Sequence, residues 1–181
     1  MMNNLANILT VARVLLLPFI ILLLFLPFHW AAWLCLILYI VAAITDFLDG
    51  WVARKYNQIT AFGRFLDPIA DKIFVVTILL MLVAVDRITG FSVLAVVAIL
   101  AREFAVSGLR EFLGPKNITV HVTPLAKWKT TLQMLATGCL IVEFTSTWVE
   151  VIGLLSLWAA AFLTVYTGWQ YIRVGMKHIN D

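Results

Sequence analysis

Six long apolar runs constrain this chain more than any other feature. Each is about 20 residues long, the length that a helix needs to cross a hydrocarbon core of about 30 Å. We place them at 8–28, 31–54, 66–86, 90–112, 128–146 and 148–172. The mean hydropathy of +1.00 and the 13% share of charged residues lie far from the composition of soluble domains. The sequence therefore predicts an all-α integral membrane protein, one domain over residues 1–181 with six transmembrane helices.

The basic residues are distributed unevenly between the two sides of such a bundle. If both termini lie on one side, twelve of the thirteen Lys and Arg residues fall there and Arg87 alone falls on the other. Cytoplasmic loops of membrane proteins are enriched in Lys and Arg. We therefore expect the termini and a polar cavity to face the cytoplasm. The first run has no small-residue cleavage site, so we interpret it as a retained span.

Acidic residues are concentrated in one stretch, residues 46–71, between the second and third runs. Four of the ten in the chain, Asp46, Asp49, Asp67 and Asp71, fall within these 26 positions. On helices, Asp46 and Asp49 share one face, and Asp67 and Asp71 are one turn apart on another. If the faces meet, the carboxylates cannot all stay ionised without cations between them. Oxygen ligands suit Mg²⁺ or Mn²⁺, so we predict a pair of divalent ions, an arrangement used for displacement at phosphorus.

A basic cluster lies near the cytoplasmic ends of the fourth and fifth helices. It consists of Arg102, Arg110, Lys127 and Lys129. Ionisable residues at membrane depth normally face a cavity or a partner. The alternative for the two lysines is contact with anionic lipid headgroups. Arg102 fits that alternative less well, because it lies within the predicted span.

The remaining polar residues suggest little chemistry from spacing alone. We interpret Asn7 or Thr10 as a helix cap and Arg13 as a side chain that extends to the lipid headgroups. Cys35 and Cys139 lie in apolar runs without a Cys or His neighbour at ligand spacing. We interpret both as reduced packing residues.

The spacing within the acidic stretch is itself informative. It is Asp46-x-x-Asp49-Gly50-x-x-Ala53-Arg54, then eight residues, then Gly63-x-x-x-Asp67-x-x-x-Asp71. These eight fixed residues resemble the signature of the CDP-alcohol phosphotransferase family, and the six-span layout fits that family as well.

Further motifs resemble the members of this family that use glycerol phosphate as acceptor. They are Asn7-x-Leu-Thr10-x-x-Arg13, Arg102-Glu103, Ser107-Gly-Leu-Arg110-Glu111, and Lys127-x-Lys129-Thr130 followed by Gln133. The resemblance extends over roughly residues 5 to 135. Ala126 is a departure, since Gly is expected before the first lysine.

The resemblance implies three groups of site residues. The four aspartates would hold two divalent cations, with Asp71 also accepting the proton of the incoming hydroxyl. The CDP moiety would contact Asn7, Thr10, Gly50, Ala53, Arg54, Thr60 and Gly63. The acceptor phosphate would be bound by Arg102, Arg110, Lys127 and Lys129.

The implied activity is transfer of the phosphatidyl group of CDP-diacylglycerol to sn-glycerol 3-phosphate with release of CMP. This step of anionic phospholipid biosynthesis would take place in the bacterial cytoplasmic membrane, with the site facing the cytoplasm. The alternative acceptors are inositol, inositol phosphate, serine and phosphatidylglycerol. A neutral alcohol gives no reason for several Arg and Lys residues, whereas a phosphorylated one does.

A divalent-cation transporter is the alternative from another class, because intramembrane carboxylates can line an ion path. The acidic residues, however, cluster at one end, and the first, fifth and sixth spans have none at mid-depth. The resemblance gives no nucleic-acid partner. The resemblance does not determine whether the chain forms a homodimer, which metal it prefers, which acyl chains it accepts or what the loop 114–123 does.

Overall fold

The computed structural model describes residues 5–55, 61–114 and 124–176. Within these ranges, the side chains at positions 5, 6, 47–55, 61, 62, 64, 124–127, 174 and 175 lie outside the description.

The described residues form six α-helices, a short 3₁₀ turn and no strand, which confirms the predicted all-α class. The helices are α1 (Leu5–Phe25), α2 (His29–Lys55), α3 (Ala61–Ala84), α4 (Ser92–Leu113), α5 (Pro124–Ile141) and α6 (Thr147–Met176). The 3₁₀ turn, Glu143–Thr145, precedes α6. The end of α5, at residue 141 rather than 146, and the start of α3, at residue 61 rather than 66, differ most from the prediction. Hydropathy marked only the apolar part of α3, whereas its first turns are partly polar.

Within the part of the chain that the structure describes, four helical segments are long and apolar enough to cross a membrane: Asn7–Phe25, His29–Asp46, Ser92–Leu113 and Thr147–Arg173. On α1, Leu15, Phe19 and Leu22 are more than 60% exposed, while Leu17 and Ile20 are buried. Large apolar faces of this kind are rare on soluble proteins. They suit contact with lipid, so the chain is an integral membrane protein.

The chain divides into two compact units. The first contains Met1–Arg87 and the short segment Ile141–Thr145. In it α1 packs against both α2 and α3. The rings of Tyr39 on α2 and Phe74 on α3 stack with centroids 5.7 Å apart.

The end of α3 is fixed by its backbone and by the 3₁₀ turn. Asp86 has a φ of 60°, and the N–H of Arg87 donates to the Leu82 carbonyl at 2.9 Å, the pattern of a Schellman cap. Arg87 pairs with Glu143 at 3.1 Å. The ring of Phe144 stacks on His29 with centroids 4.3 Å apart. These contacts attach residues 141–145 to the first unit.

The second unit contains Ile88–Leu140 and Ser146–Asp181, and in it α4 packs against α6. Val96, Ile99, Leu157 and Ala160 are buried in this unit. Gly153 of α6 lies close to α5, since a Cβ atom there would be 2.9 Å from Leu140 Cγ. The packing of α6 therefore depends on small residues at this point.

Candidate active site

Arg13 of α1 links two of the predicted acidic residues in the first unit. Its Nη1 atom donates to Asp46 Oδ1 and, at 2.5 Å, to Asp71 Oδ1. The Arg13 side chain is 3% exposed, whereas those of Asp46 and Asp71 are 48% and 52% exposed. Because both oxygens contact the same nitrogen, the carboxylates of α2 and α3 are neighbours on one accessible surface.

The interpretation of Arg13 as a side chain at the lipid headgroups is wrong. Two carboxylates from different helices provide a nearer partner, and the buried guanidinium binds both. Thr10 is also not a cap, because it lies inside α1 and its hydroxyl donates to Asp67 Oδ1 at 3.0 Å. Asn7 and Thr10 are buried at 4% and 1% exposure. The face of α1 that bears Thr10 and Arg13 therefore lines the carboxylate cluster, which we define as Asp46, Asp67 and Asp71.

For most of the other predicted site residues of the first unit, the structure describes the backbone but not the side chain. Four of them lie in α2 with side chains outside the description: Asp49, Gly50, Ala53 and Arg54. Thr60 lies outside the described residues, and Gly63 is buried in α3. Among the described side chains, no group of three His, Cys, Asp or Glu residues is arranged to hold a metal ion. Since Asp49 is not among them, the four-carboxylate metal site stays a prediction.

Glu103 links two members of the basic cluster in the second unit. Its Oε1 atom accepts from Lys129 Nζ and, at 3.3 Å, from Arg102 Nη1. The side chains of Arg102, Glu103 and Lys129 are only 12%, 20% and 9% exposed. The alternative of lipid headgroup contact is therefore wrong for Lys129, because its ammonium group is buried against a carboxylate. Lys127 lies in α5 with its side chain outside the description.

Arg110 lies on α4 two turns after Arg102. Its guanidinium carbon is 5.9 Å from the centre of the Tyr171 ring on α6, within the range of a cation–π contact. Arg102 and Arg110 both lie close enough to Lys129 to repel its ammonium group. The second unit thus concentrates positive charge on α4 and α5, offset in part by Glu103.

Sequence reasoning missed the contribution of α6. Arg102 Nη2 donates to Thr167 Oγ1 at 3.4 Å, and Gly168 lies directly beneath the Arg102 side chain. The signal was present in the sequence, because Thr164, Thr167, Gly168 and Tyr171 stand at i, i+3, i+4 and i+7. The acidic residues of α2 show the same spacing, but hydroxyl groups within an apolar run indicate a polar site less strongly than carboxylates do.

Helices with lipid-facing apolar surfaces, a carboxylate cluster and a basic cluster define a helical membrane protein built to bind charged ligands. The chain belongs to the CDP-alcohol phosphatidyltransferase family, which it matches over residues 3–166. The resemblance seen in the sequence is thereby confirmed, and with it the prediction that the chain is a phosphatidyltransferase.

Curated relatives match along almost their whole length. The CDP-diacylglycerol–glycerol-3-phosphate 3-phosphatidyltransferase of Rickettsia typhi is 46% identical over 175 residues, covering 95% of this chain and 97% of its own. The protein of the same name from Salmonella choleraesuis is 39% identical over 183 residues and covers both chains completely. That of Haemophilus influenzae is 36% identical, covering 98% of this chain and 96% of its own.

Proposed function

We propose that this chain transfers the phosphatidyl group of CDP-diacylglycerol to sn-glycerol 3-phosphate, giving phosphatidylglycerophosphate and CMP. The single observation that carries the proposal is the full-length similarity, at 36–46% identity, to bacterial enzymes named for this reaction. The charges of the two clusters support it independently. One cluster suits cations, and the other suits a phosphate.

Divalent cations, Mg²⁺ or Mn²⁺, fit the carboxylate cluster of the first unit. Asp46 and Asp71 approach one another across a buried guanidinium, so their surroundings already favour positive charge between them. Asp46, Asp49, Asp67 and Asp71 would hold two such ions. When bound, the ions neutralise the pyrophosphate and stabilise the departing CMP.

Asp71 acts as the base in this proposal. The acceptor hydroxyl loses its proton to the carboxylate as its oxygen bonds to the β-phosphorus of CDP-diacylglycerol. The bond from that phosphorus to the bridging oxygen breaks, and its electron pair leaves with CMP. Asp71 is half exposed and therefore reachable by substrate, while Arg13 fixes its orientation. A positioned base contributes about 10²–10⁴-fold to the rate.

The CDP moiety is bound by the polar and small residues of the first unit. We assign this role to Asn7, Thr10, Gly50, Ala53, Arg54, Thr60 and Gly63. Asn7 and Thr10 are both buried in α1, and Thr10 already donates to Asp67 of the carboxylate cluster. Small residues in α2 and α3 allow the nucleotide to approach the backbone closely.

The acceptor phosphate is bound by the basic cluster of Arg102, Arg110, Lys127 and Lys129. Arg102, Arg110 and Lys129 carry three positive charges, and Glu103 offsets one of them. A phosphate monoester carries about −1.5 to −2 charges at pH 7, which this excess matches. A neutral alcohol does not match it, and a phosphodiester such as phosphatidylglycerol supplies only one negative charge.

We also propose six transmembrane spans, with the polar cavity on the cytoplasmic side of the bacterial inner membrane. The distribution of basic residues supports this orientation, because twelve of thirteen lie on the side of the termini. The acyl chains of the lipid substrate can then stay in the bilayer during the reaction.

The experiment that tests the proposal is CMP release by the purified protein in detergent with CDP-diacylglycerol and Mg²⁺. The acceptors compared are sn-glycerol 3-phosphate, glycerol, inositol, inositol phosphate and serine. Release with sn-glycerol 3-phosphate alone is the expected result. Release with a neutral acceptor would overturn the assignment of the basic cluster. Release with inositol phosphate would keep that assignment but overturn sn-glycerol 3-phosphate as the acceptor. No release with any acceptor would overturn the reaction and favour cation transport into vesicles.

A further inference from the structure

The second half of α6 carries a buried polar stripe that the family resemblance does not assign. Thr164, Thr167 and Tyr171 are 0%, 2% and 8% exposed, and Gly168 is buried between them. Their spacing places all four on one face of the helix. Burying a hydroxyl group is costly unless it has a partner. Among the described residues Thr164 Oγ1 has none, whereas the Thr167 hydroxyl faces a polar neighbour.

Arg102 of α4 is that neighbour. Its Nη2 atom donates to Thr167 Oγ1 at 3.4 Å. The Thr167 hydroxyl gives its own proton to the Leu163 carbonyl at 2.7 Å. The Thr167 oxygen is therefore left as an acceptor aimed at the guanidinium, and this fixes the direction of the contact.

Gly168 provides the space for the stem of Arg102. A Cβ atom at this position would lie 2.6 Å from Arg102 Cγ, 3.4 Å from Nε and 3.6 Å from Cδ. The backbone of Gly168 has no positive φ, so conformational freedom does not explain the glycine. The Arg102 side chain thus crosses α6 at a point where any larger residue would displace it.

The contacts of Arg102 hold one end of its guanidinium and leave a donor unused. Nη1 faces Glu103 at 3.3 Å and Nη2 faces Thr167. The buried Nε atom of Arg102 has no hydrogen-bond partner among the described residues. That nitrogen is buried, so a phosphate oxygen would meet the second N–H of Nη1 or Nη2, which the two contacts above do not use. Guanidinium groups bind phosphate most tightly when they are pre-organised.

We propose that Gly168 and Thr167 are positioning residues that set Arg102 for the phosphate of the acceptor. The inference rests on the proposed function and deepens it by adding α6 to the determinants of acceptor affinity. Neither residue touches the substrate. They act by holding the Arg102 side chain in one extended conformation, which lowers the ordering cost when phosphate binds.

The test compares Gly168→Ala with Gly153→Ala. Both add one methyl group to α6 in the second unit, and at Gly153 the Cβ would be 2.9 Å from Leu140 Cγ, far along the helix from Arg102. Gly168→Ala should raise the KM for sn-glycerol 3-phosphate about tenfold, the loss expected for a displaced charged hydrogen bond. The KM for CDP-diacylglycerol should stay unchanged in both variants, as should the KM for sn-glycerol 3-phosphate in Gly153→Ala.

Thr167 offers a second, milder pair of variants. Thr167→Val keeps the shape and removes the acceptor, so the KM for sn-glycerol 3-phosphate should rise about threefold or more. Thr167→Ser keeps the hydroxyl and should restore the wild-type value. If Gly168→Ala does not fold, this pair decides the question.

The outcomes separate the inference from the function on which it rests. No CMP release by the wild-type protein with sn-glycerol 3-phosphate overturns the proposed function. Wild-type release combined with equal KM values in Gly168→Ala and Gly153→Ala, or in Thr167→Val and Thr167→Ser, overturns the positioning role alone.

Discussion

In each unit one ionised side chain lies between two side chains of the opposite charge, and the sign of the central charge differs between the units. In the first, one guanidinium, Arg13, lies between the carboxylates of Asp46 and Asp71. In the second, one carboxylate, Glu103, lies between Arg102 and Lys129. Each central ion is partnered twice, so each group keeps an excess charge of the other sign.

The two groups differ in how far their outer ions reach solvent. Asp46 and Asp71 are about half exposed, at 48% and 52%, whereas Arg102 and Lys129 are 12% and 9% exposed. The carboxylates are therefore available to ions and to a reacting hydroxyl. The cations of the second unit are largely shielded from water, so a phosphate would interact with them more strongly. The strength of that interaction would depend on how precisely the side chains are positioned. The following variants test this contrast.

Asp71→Asn should have the largest effect. The amide can still accept a hydrogen bond from Arg13, but it cannot take a proton, so CMP release should fall by about 10²–10⁴-fold. Release is measured with CDP-diacylglycerol and sn-glycerol 3-phosphate, and folding by thermal unfolding in detergent.

The matched control is Asp86→Asn, the same substitution in the connection after α3. Asn tolerates the positive φ of 60° found at this position. Its activity should equal that of the wild type. Turnover by Asp71→Asn at the wild-type rate would remove Asp71 as the base.

Arg13→Gln should come next, because it leaves two neighbouring carboxylates without their buried cation. The expected loss of stability is about 2–3 kcal/mol, which lowers Tm by roughly 4–12 °C in a chain of this size. Millimolar Mg²⁺ should raise the Tm of this variant more than that of the wild type, since binding to the folded state stabilises it. An equal response to Mg²⁺ would contradict the view of this group as a cation site.

Glu103→Gln corresponds to Arg13→Gln, because it removes the central ion of the second unit. It removes the carboxylate between Arg102 and Lys129, at an expected cost of about 1–3 kcal/mol. Inorganic phosphate, rather than Mg²⁺, should then restore Tm. Glu111→Gln is the control, because Glu111 is exposed on the same helix. A phosphate response no greater than that of Glu111→Gln would show that the second group does not bind anions.

Arg87→Gln should have the smallest effect. The Arg87–Glu143 pair is 27% and 19% exposed, and its loss should cost about 0.5–1.5 kcal/mol. CMP release and the response to Mg²⁺ should match the wild type, which makes this variant a control for Arg13→Gln. A fall in CMP release would mean that the ion pair at the end of α3 affects the active site.

The sequence predicted the helices, and the placement of Asp67 and Asp71 one turn apart on α3, because both depend on local pattern. Asp67 and Asp71 share a helix turn, and their spacing is visible without any tertiary information. The all-α class follows in the same way from the length of the apolar runs.

The partners of Arg13 and Lys129 could not be predicted from local pattern. Arg13 binds residues 33 and 58 positions away, and Lys129 binds one 26 positions away. Such choices depend on which helix faces pack together. A lone arginine near a helix end is compatible with lipid headgroups until that packing is known, and the role of Gly168 depends on α4 crossing α6 at that point.

The segment Ile141–Thr145 has a consequence for the order in which the protein is made. A ribosome completes α1, α2 and α3 long before it reaches this segment, which belongs to the first unit although the rest of α5 and all of α6 belong to the second. His29 and Arg87 cannot meet Phe144 and Glu143 until then. Domains generally fold as they emerge, but these two contacts of the first unit form only after most of the second unit has been synthesised.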